Sequence, residues 1–293
     1  MKNKYLMLAL LAFTAVSCNN NNNKSDAYGN FEAIEVIVSS QANGKLLAFN
    51  IEEGQTLKMG ESYGFVDTTD LFLKKQQLLA QKEAVSSKIN NITAQIDVLK
   101  QQKQNLEIDK DRIVKMNKDG AATKKQVDDV IGGIDVINKQ INSIQTQNSS
   151  VLNEIAGIEK QVEQIASSIK KSYIIDETGG TVLVKYVEQG EVTAFGKPLY
   201  KVANLNNMIL KVYVSGDQLP QLKIGAKCKV LVDKNEKENK SYEGAISWVA
   251  DNAEFTPKII QTKKERVNLV YAVKVIVKND GTLKIGMPGE VVF

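Results

Sequence analysis

Apolar residues recur along this chain with two different periods, and the change of period divides it. From Leu71 they fall at every seventh position, through Leu78, Val85, Ile92, Leu99, Leu106 and Ile113, with Ile89 and Ile96 four places after members of that row. A second row alternates spacings of four and three through Val130, Ile134, Ile137, Ile141, Ile144, Val151, Ile155, Ile158, Val162, Ile165 and Ile169, with Asn148 its one polar member. Seams sustained over this many heptads predict a coiled coil. No aromatic residue and no proline lies between Leu73 and Tyr173 to interrupt them. The break comes at Asp119-Gly120-Ala121-Ala122, and Leu71 and Ile169 each lie 49 residues from Gly120. The chain is therefore expected to run out and back as an antiparallel hairpin whose two stripes pack on each other. Arms of ~45 residues would reach roughly 65 to 70 Å at about 1.5 Å per residue. Gly120 suits a helix stop, and Thr123-Lys124-Lys125-Gln126 has the spacing of a capping box. Gly132 and Gly133 each cost about 1 kcal/mol against alanine inside a helix, and predict a soft or closely packed point near the tip.

On either side of this stretch the period shortens towards two, and a repeat emerges. GKLLAFNIEEGQTLKMGESYGFVD, from Gly44, aligns with GTVLVKYVEQGEVTAFGKPLYKVA, from Gly180, at an offset of 136 residues. The two match at Gly44/Gly180, Leu47/Leu183, Glu52/Glu188, Gly54/Gly190, Gly60/Gly196 and Val66/Val202. Each reads as short strands separated by glycine turns that need a positive φ. Two half-motifs that each leave an apolar face bare should pair into one small β-sandwich, with the hairpin inserted between them. Further along, MILKVYVSG from Met208, GAKCKVLVD from Gly225, YEGAISWVA from Tyr242 and VYAVKVIV from Val270 alternate as strands do. The fold class expected is α+β and multidomain.

Composition narrows the chemistry. The 293 residues include no histidine and two cysteines, which removes the commonest general base and zinc ligand and any all-cysteine metal cluster. This argues against an enzyme and against a metal or other cofactor. The net charge of +4 falls to +2, 36 basic against 34 acidic residues, once Lys2 and Lys4 are set aside as part of a removable leader. That balance gives no reason to expect nucleic acid as a partner. The leader itself is signalled by those lysines, the apolar run Tyr5–Phe13 and the small residues before Cys18, a stretch too short to span a membrane. Ala15-Val16-Ser17-Cys18 resembles a bacterial lipobox, with Cys18 as the lipidated first residue of the mature chain and Ala15 where leucine is common. The tract Asn19–Asn23 and the polar residues after it read as a tether. Cys228 is then the one remaining thiol, so no intrachain disulfide is available.

The paired half-motifs around a hairpin resemble the split biotinyl/lipoyl-like domain of HlyD-type membrane fusion proteins, the periplasmic adaptor subunits of bacterial efflux and secretion systems. True lipoyl carriers present a modifiable lysine at the turn after the first half. Here Val66-Asp67-Thr68-Thr69-Asp70-Leu71 has none and runs into the first helix, which disfavours a swinging-arm carrier. The strands after Met208 resemble the family's β-barrel domain, to which IEVIVSSQ near the N-terminus is expected to add a strand. The segment Phe255–Val275, followed by Gly286-Met287-Pro288-Gly289, is similar to adaptors that partner ABC-type exporters. The resemblance covers about residues 29 to 293, and implies that most or all of the family's membrane-proximal domain is lacking. The organisation expected is a signal peptide over 1–17, a flexible tether over 18–28, a split lipoyl-like domain from 39–69 and 174–203, the hairpin over 70–173, and a β-barrel domain from 29–38 and 204–293.

The resemblance also points to the hairpin tip. Family adaptors that dock on a TolC-like outer-membrane channel carry arginine, leucine four places on and serine seven further, and Arg112, Met116 and Thr123 keep that spacing around Gly120. It implies a lipid-anchored homo-hexamer in the periplasm, held at the inner membrane, linking an ABC-type inner-membrane transporter to such a channel for export of small molecules or peptides. The competing reading is a structural coiled-coil lipoprotein spacer with no part in transport.

Overall fold

The computed structural model describes residues 25–235, 238–255 and 269–293. The signal peptide, Cys18, most of the tether, and residues 256–268 of the segment similar to ABC-exporter adaptors lie outside those residues. In chain order the elements are β1 (Ala27–Glu32), β2 (Glu35–Ser39), β3 (Gly44–Phe49), β4 (Thr56–Leu57), β5 (Ser62–Val66), α1 (Thr69–Lys118), α2 (Lys124–Lys171), β6 (Tyr173–Ile175), β7 (Gly180–Lys185), β8 (Val192–Thr193), β9 (Pro198–Ala203), β10 (Asn207–Val214), β11 (Lys227–Asp233), β12 (Asn239–Val249), β13 (Glu254–Phe255), β14 (Leu269–Lys278) and β15 (Pro288–Val292). They divide into two compact units, one of Ile37–Lys201 and one of the chain up to Val36 together with Val202–Phe293.

Within the first unit the two half-motifs interlock. One sheet runs β2-β9-β7-β4 and the other β6-β5-β3-β8, so each sheet draws strands from both halves. The pairing is reciprocal: Leu57 lies opposite Gly180 on β4 and β7, while Gly44 lies opposite Thr193 on β3 and β8. Adding 136 to the first-half member of one pair gives the second-half member of the other. The backbone bonds obey the same rule. Gly54 N–H donates to the Val182 carbonyl at 2.9 Å and Gly190 N–H to that of Leu46 at 2.8 Å; Val182 N–H donates to Gln55 at 2.9 Å and Leu46 N–H to Glu191 at 2.8 Å. Strands of two residues such as β4 and β8 do not persist alone; here each is held by the opposite half. Leu46, Leu57, Val66, Val182, Leu199 and Val202 fill the space between the sheets and are buried.

The sandwich ties both ends of the hairpin. Strand β5 pairs with β6, and the Val66 N–H donates to the Ser172 carbonyl at 2.9 Å, so the chain entering α1 lies beside the chain leaving α2. Asp67 receives the Thr69 hydroxyl at 2.7 Å and its N–H at 2.9 Å. These bonds, with Lys45 nearby, hold its carboxyl below the usual carboxylate range. At 50 and 48 residues the helices exceed the ~45-residue arms expected, because α1 begins directly after β5. They extend about 75 and 72 Å at 1.5 Å per residue.

The two seams meet as expected. Leu78, Val85 and Ile158 are buried together, with Val151, Ile155, Val162 and Ile165 packed against them. Lys82 pairs with Glu159 at 2.8 Å and Lys88 with Glu154 at 3.6 Å. The residue numbers in these pairs total 241 and 242, which centres the reversal on Gly120 and Ala121. A Cβ at Gly133 would stand 3.5 Å from Leu106 Cδ1, so this glycine permits close packing, while Gly132 faces open space. The polar member of the seam, Asn148, buries its Oδ1 with no hydrogen-bond partner.

The second unit is a closed six-stranded barrel in the order β10-β1-β15-β11-β12-β14, with β14 returning to β10 and the short β13 added to β14. Closure follows from the length of β10 and β14, which pair from Asn207 opposite Lys278 to Val214 opposite Tyr271. Their alternation sends Met208, Leu210, Val212, Val273, Val275 and Val277 inward, where they meet Phe31, Val230 and Val291. The four strands expected here from sequence are present as β10, β11, β12 and β14. The N-terminal contribution differs. Residues 27–32, not IEVIVSSQ, supply the barrel strand, because Phe31 and Ala27 fit inward-facing positions between β10 and β15. The stretch assigned as tether thus gives its last two residues to β1. Ile34, 73% exposed, marks the break, and β2 joins the sandwich sheet beside β9.

Cys228 points into the barrel core, and desolvation pushes its thiol up to about 11. A group whose pKa rises on folding stabilises the folded state below its ordinary pKa, and that contribution fades as pH climbs towards the raised value. Cys228 should therefore resist a charged maleimide at neutral pH and react fully once the protein is unfolded in denaturant, as read by mass spectrometry. Rapid labelling of the native protein would contradict this packing.

Candidate functional site

The tip of the hairpin is built by two complementary helix ends. At the end of α1 the Ala121 N–H donates to the Met116 carbonyl at 2.7 Å and the Gly120 N–H to that of Asn117 at 3.1 Å. This is a Schellman closure, and it requires the left-handed φ of +72° that Gly120 adopts. The Asn117 side chain reaches on to the Ala122 carbonyl at 2.7 Å and fastens the turn. Helix α2 then opens with the capping box predicted at Thr123. Its hydroxyl accepts the Gln126 N–H at 3.3 Å, and the Gln126 side-chain oxygen accepts the Thr123 N–H at 2.8 Å. Thr123 is thereby committed to shaping the turn.

Arg112 and Met116, one turn apart, share a face of α1 close to this turn. Arg112 is 67% exposed and pairs with Asp109 on its own helix, and Met116 is 42% exposed. The structure thus gathers Arg112, Met116, Gly120 and Thr123 in the last two turns of α1 and the reversal. The surface they offer has one cation, one flexible thioether and a rigid backbone loop. Asn117 was not singled out from sequence, whereas Gln126 was expected there as the second member of the capping box.

The other expected positions are the glycines of the half-motifs. Gly44, Gly54, Gly60, Gly180, Gly190 and Gly196 all have φ between +83° and +145°. At Gly44 the demand is double, because a Cβ there would also stand 2.9 Å from Val66 Cγ1. Sequence reasoning missed the polar centre of the sandwich. Asp176 is fully buried and accepts the Tyr200 hydroxyl at 3.0 Å, and its backbone carbonyl accepts the Gly60 N–H at 2.7 Å. Burial, together with the neighbouring Asp176 charge, pushes the Tyr200 phenol far above its usual range. Ser40, also buried, holds the equivalent place for Gly196, at the same offset of 136. The signal was available as that offset, extended outside the aligned blocks.

Comparison with known proteins agrees with this architecture. No protein-family model matches the chain. A Yersinia enterocolitica protein named UPF0194 membrane protein YE2891 is 24% identical over 324 residues, which take in 98% of this chain and 96% of the relative. The crystal structure of MacA from Actinobacillus actinomycetemcomitans superposes with a TM-score of 0.67 at 20% identity, over 90% of this chain and 76% of that one. The membrane fusion protein Spr0693 from Streptococcus pneumoniae R6 gives 0.54 at 16% identity, over 90% and 97%. The fold is that of a membrane fusion protein. The resemblance read from the half-motifs and the hairpin is therefore matched in three dimensions. Among the described residues, no helix of this membrane fusion protein fold is long and apolar enough to cross a membrane.

Replacing Thr123 by alanine should remove the cap and destabilise the hairpin by about 1 kcal/mol, seen as a lower melting temperature of the helical circular dichroism signal. Serine at the same position should keep most of the stability. Equal melting of the alanine and wild-type proteins would show that the cap contributes nothing.

Proposed function

We propose that this chain is the periplasmic adaptor of an export system, linking an inner-membrane transporter of the ABC type to a TolC-like outer-membrane channel. The observation that carries the reading is the joint anchoring of both hairpin ends in a split sandwich. A rod about 75 Å long that is fixed at its root and closed at its tip can hold two partners at a set distance. The likeness to MacA and Spr0693 supports the same reading. In this scheme Cys18 carries the lipid that holds the chain to the inner membrane, and six copies enclose the path of a small molecule or peptide. The barrel domain faces the transporter, which hydrolyses the ATP. The chain's own part is geometric.

At the tip, the Arg112 guanidinium is suited to donate to carbonyls or a carboxylate of the channel, Met116 to fill an irregular apolar hollow, and Thr123 with Gly120 to set the loop between them. A plain spacer would need the rod but not the interlocked sandwich at its root.

Cross-linking in intact cells followed by purification should recover a transporter and an outer-membrane channel with the wild-type chain. Changing Arg112 and Met116 to alanine and Thr123 to serine should lose the channel and abolish export while leaving the helical circular dichroism signal in place. Normal export by that triple variant would remove the tip from the interface, and recovery of neither partner with wild type would favour the spacer.

A further inference from the structure

Midway along the hairpin the apolar seam is broken by Asn148, with Ile144 and Val151 continuing the row on either side. Its Oδ1 is buried and has no hydrogen-bond partner. The register fixed by Lys82–Glu159 and Lys88–Glu154 sets it level with residues 93 and 94, just past the buried α1 seam residue Ile92. A lone seam asparagine commonly fixes the register of a coiled coil. Here that task is already done, because β5 and β6 tie the helices together at the root and the Gly120 turn joins them at the tip. Register therefore leaves Asn148 unexplained.

Both helices are weakened at that level. Thr146 Oγ1 donates to the Asn142 carbonyl at 3.0 Å and Ser149 Oγ to that of Gln145 at 3.2 Å. Hydroxyl bonds of this kind, four positions back, compete with the helix's own and favour bending. At the same height α1 carries Asn90, Asn91 and Thr93, residues of low helix propensity. The seam is also open here. A recess of about 480 Å³ lies on the tip side of Asn148, lined by the seam residues Leu99 and Ile144 and by Val98, which is 58% exposed.

Cross-ties between the helices are unequal on the two sides of this layer. Among the described residues, the ion pairs that join α1 to α2 are Lys82–Glu159 and Lys88–Glu154, and both lie between Asn148 and the root. Towards the tip, Asp97–Lys100, Lys103–Glu107 and Asp109–Arg112 each stay within α1. The buried cluster of Leu78, Val85 and Ile158 is likewise on the root side. Charge as well as packing thus bolts the root half across the seam, and no such bolt holds the tip half.

We propose that the hairpin is jointed at the Asn148 layer: the seam opens and bends there, and the tip half swings as one piece on a root half held by the sandwich. Parting a wholly apolar layer only exposes apolar surface to water, whereas parting this one also gives the buried Asn148 oxygen the hydrogen bonds it lacks. The penalty carried by the closed layer is returned on opening, so the seam yields here before it yields elsewhere. A bend at this height turns the tip without disturbing the closure at Gly120 or the strand pairing at the root. The inference rests on the adaptor reading for its purpose, which is to let a tip of fixed shape meet a channel that is out of line with the root.

The test is hydrogen exchange of the full-length chain, read by mass spectrometry. Amides of residues 88–96 and 142–150 should exchange about tenfold faster than those around Val85 and Ile158 on one side and Ile137 on the other. Asn148→Ile should remove that excess in both segments, including the α1 segment it does not alter, and Asn148→Val, with less bulk, should act alike. Carbodiimide coupling of Lys82 to Glu159, 2.8 Å apart, reports the register and should be equal in all three proteins. The joint is overturned if the wild-type segments exchange no faster than their flanks or if both variants leave the exchange unchanged. It is also overturned if both variants lose the Lys82–Glu159 product, which would make Asn148 a register pin. Export is scored in strains carrying the same chains. The stiffened variants should export less, and full export by them would take the joint out of the mechanism. Export that depends on the chain while exchange is uniform along the hairpin defeats the joint alone. The expected exchange in a chain on which export does not depend defeats the adaptor reading alone.

Discussion

The structure depends on the backbone hydrogen bonds that each half-motif makes to the other. Neither half can satisfy itself: β4 and β8 are two residues long, and the amides of Leu46, Gly54, Val182 and Gly190 all find their acceptors 127 to 145 residues away. Distant pairings of this kind are entropically costly to form, and they form here because the intervening chain is a hairpin that returns to its starting point. The dependence is mutual. The sandwich holds the hairpin's ends in register, and the hairpin brings the sandwich's halves into reach.

From this constraint follows what the rod can present. Two seams of equal length on either side of Gly120 close on themselves, so the helices need no other chain to bury their apolar stripe. Their outer faces are mostly polar, with exposed apolar side chains such as Leu73, Val98, Ile108 and Val136 scattered among them. The tip is fixed by backbone closure at Gly120 and by the Thr123 cap. Arg112 and Met116 consequently project from a rigid base, which favours a contact surface of defined shape over an adaptable one.

Much of this was legible in the sequence because the signals were periodic. The seven-residue rows gave the helices, the reversal and the register; the offset of 136 gave the interlocked halves and the positive φ of their glycines. What was missed came from places where period fails. Residues 27–39 contain two short strands with similar alternation, and only the inward fit of Phe31 assigns β1 to the barrel and β2 to the sandwich. Asp176 and Ser40 share a role without sharing a chemical type, so a search for identities passes over them. At the tip, spacing located Arg112, Met116 and Thr123 and anticipated the Thr123 cap, but only the structure shows the Asn117 side chain fastening the turn at the Ala122 carbonyl.

Hydrogen exchange of the four amides that cross between the halves tests the central claim most directly. Leu46, Gly54, Val182 and Gly190 should be protected to a similar degree and should lose protection together as denaturant is raised, because each pair closes the other. Strong protection of one pair while the other exchanges as an open loop would contradict an interlocked sandwich, and with it the fixed hairpin on which the adaptor reading stands.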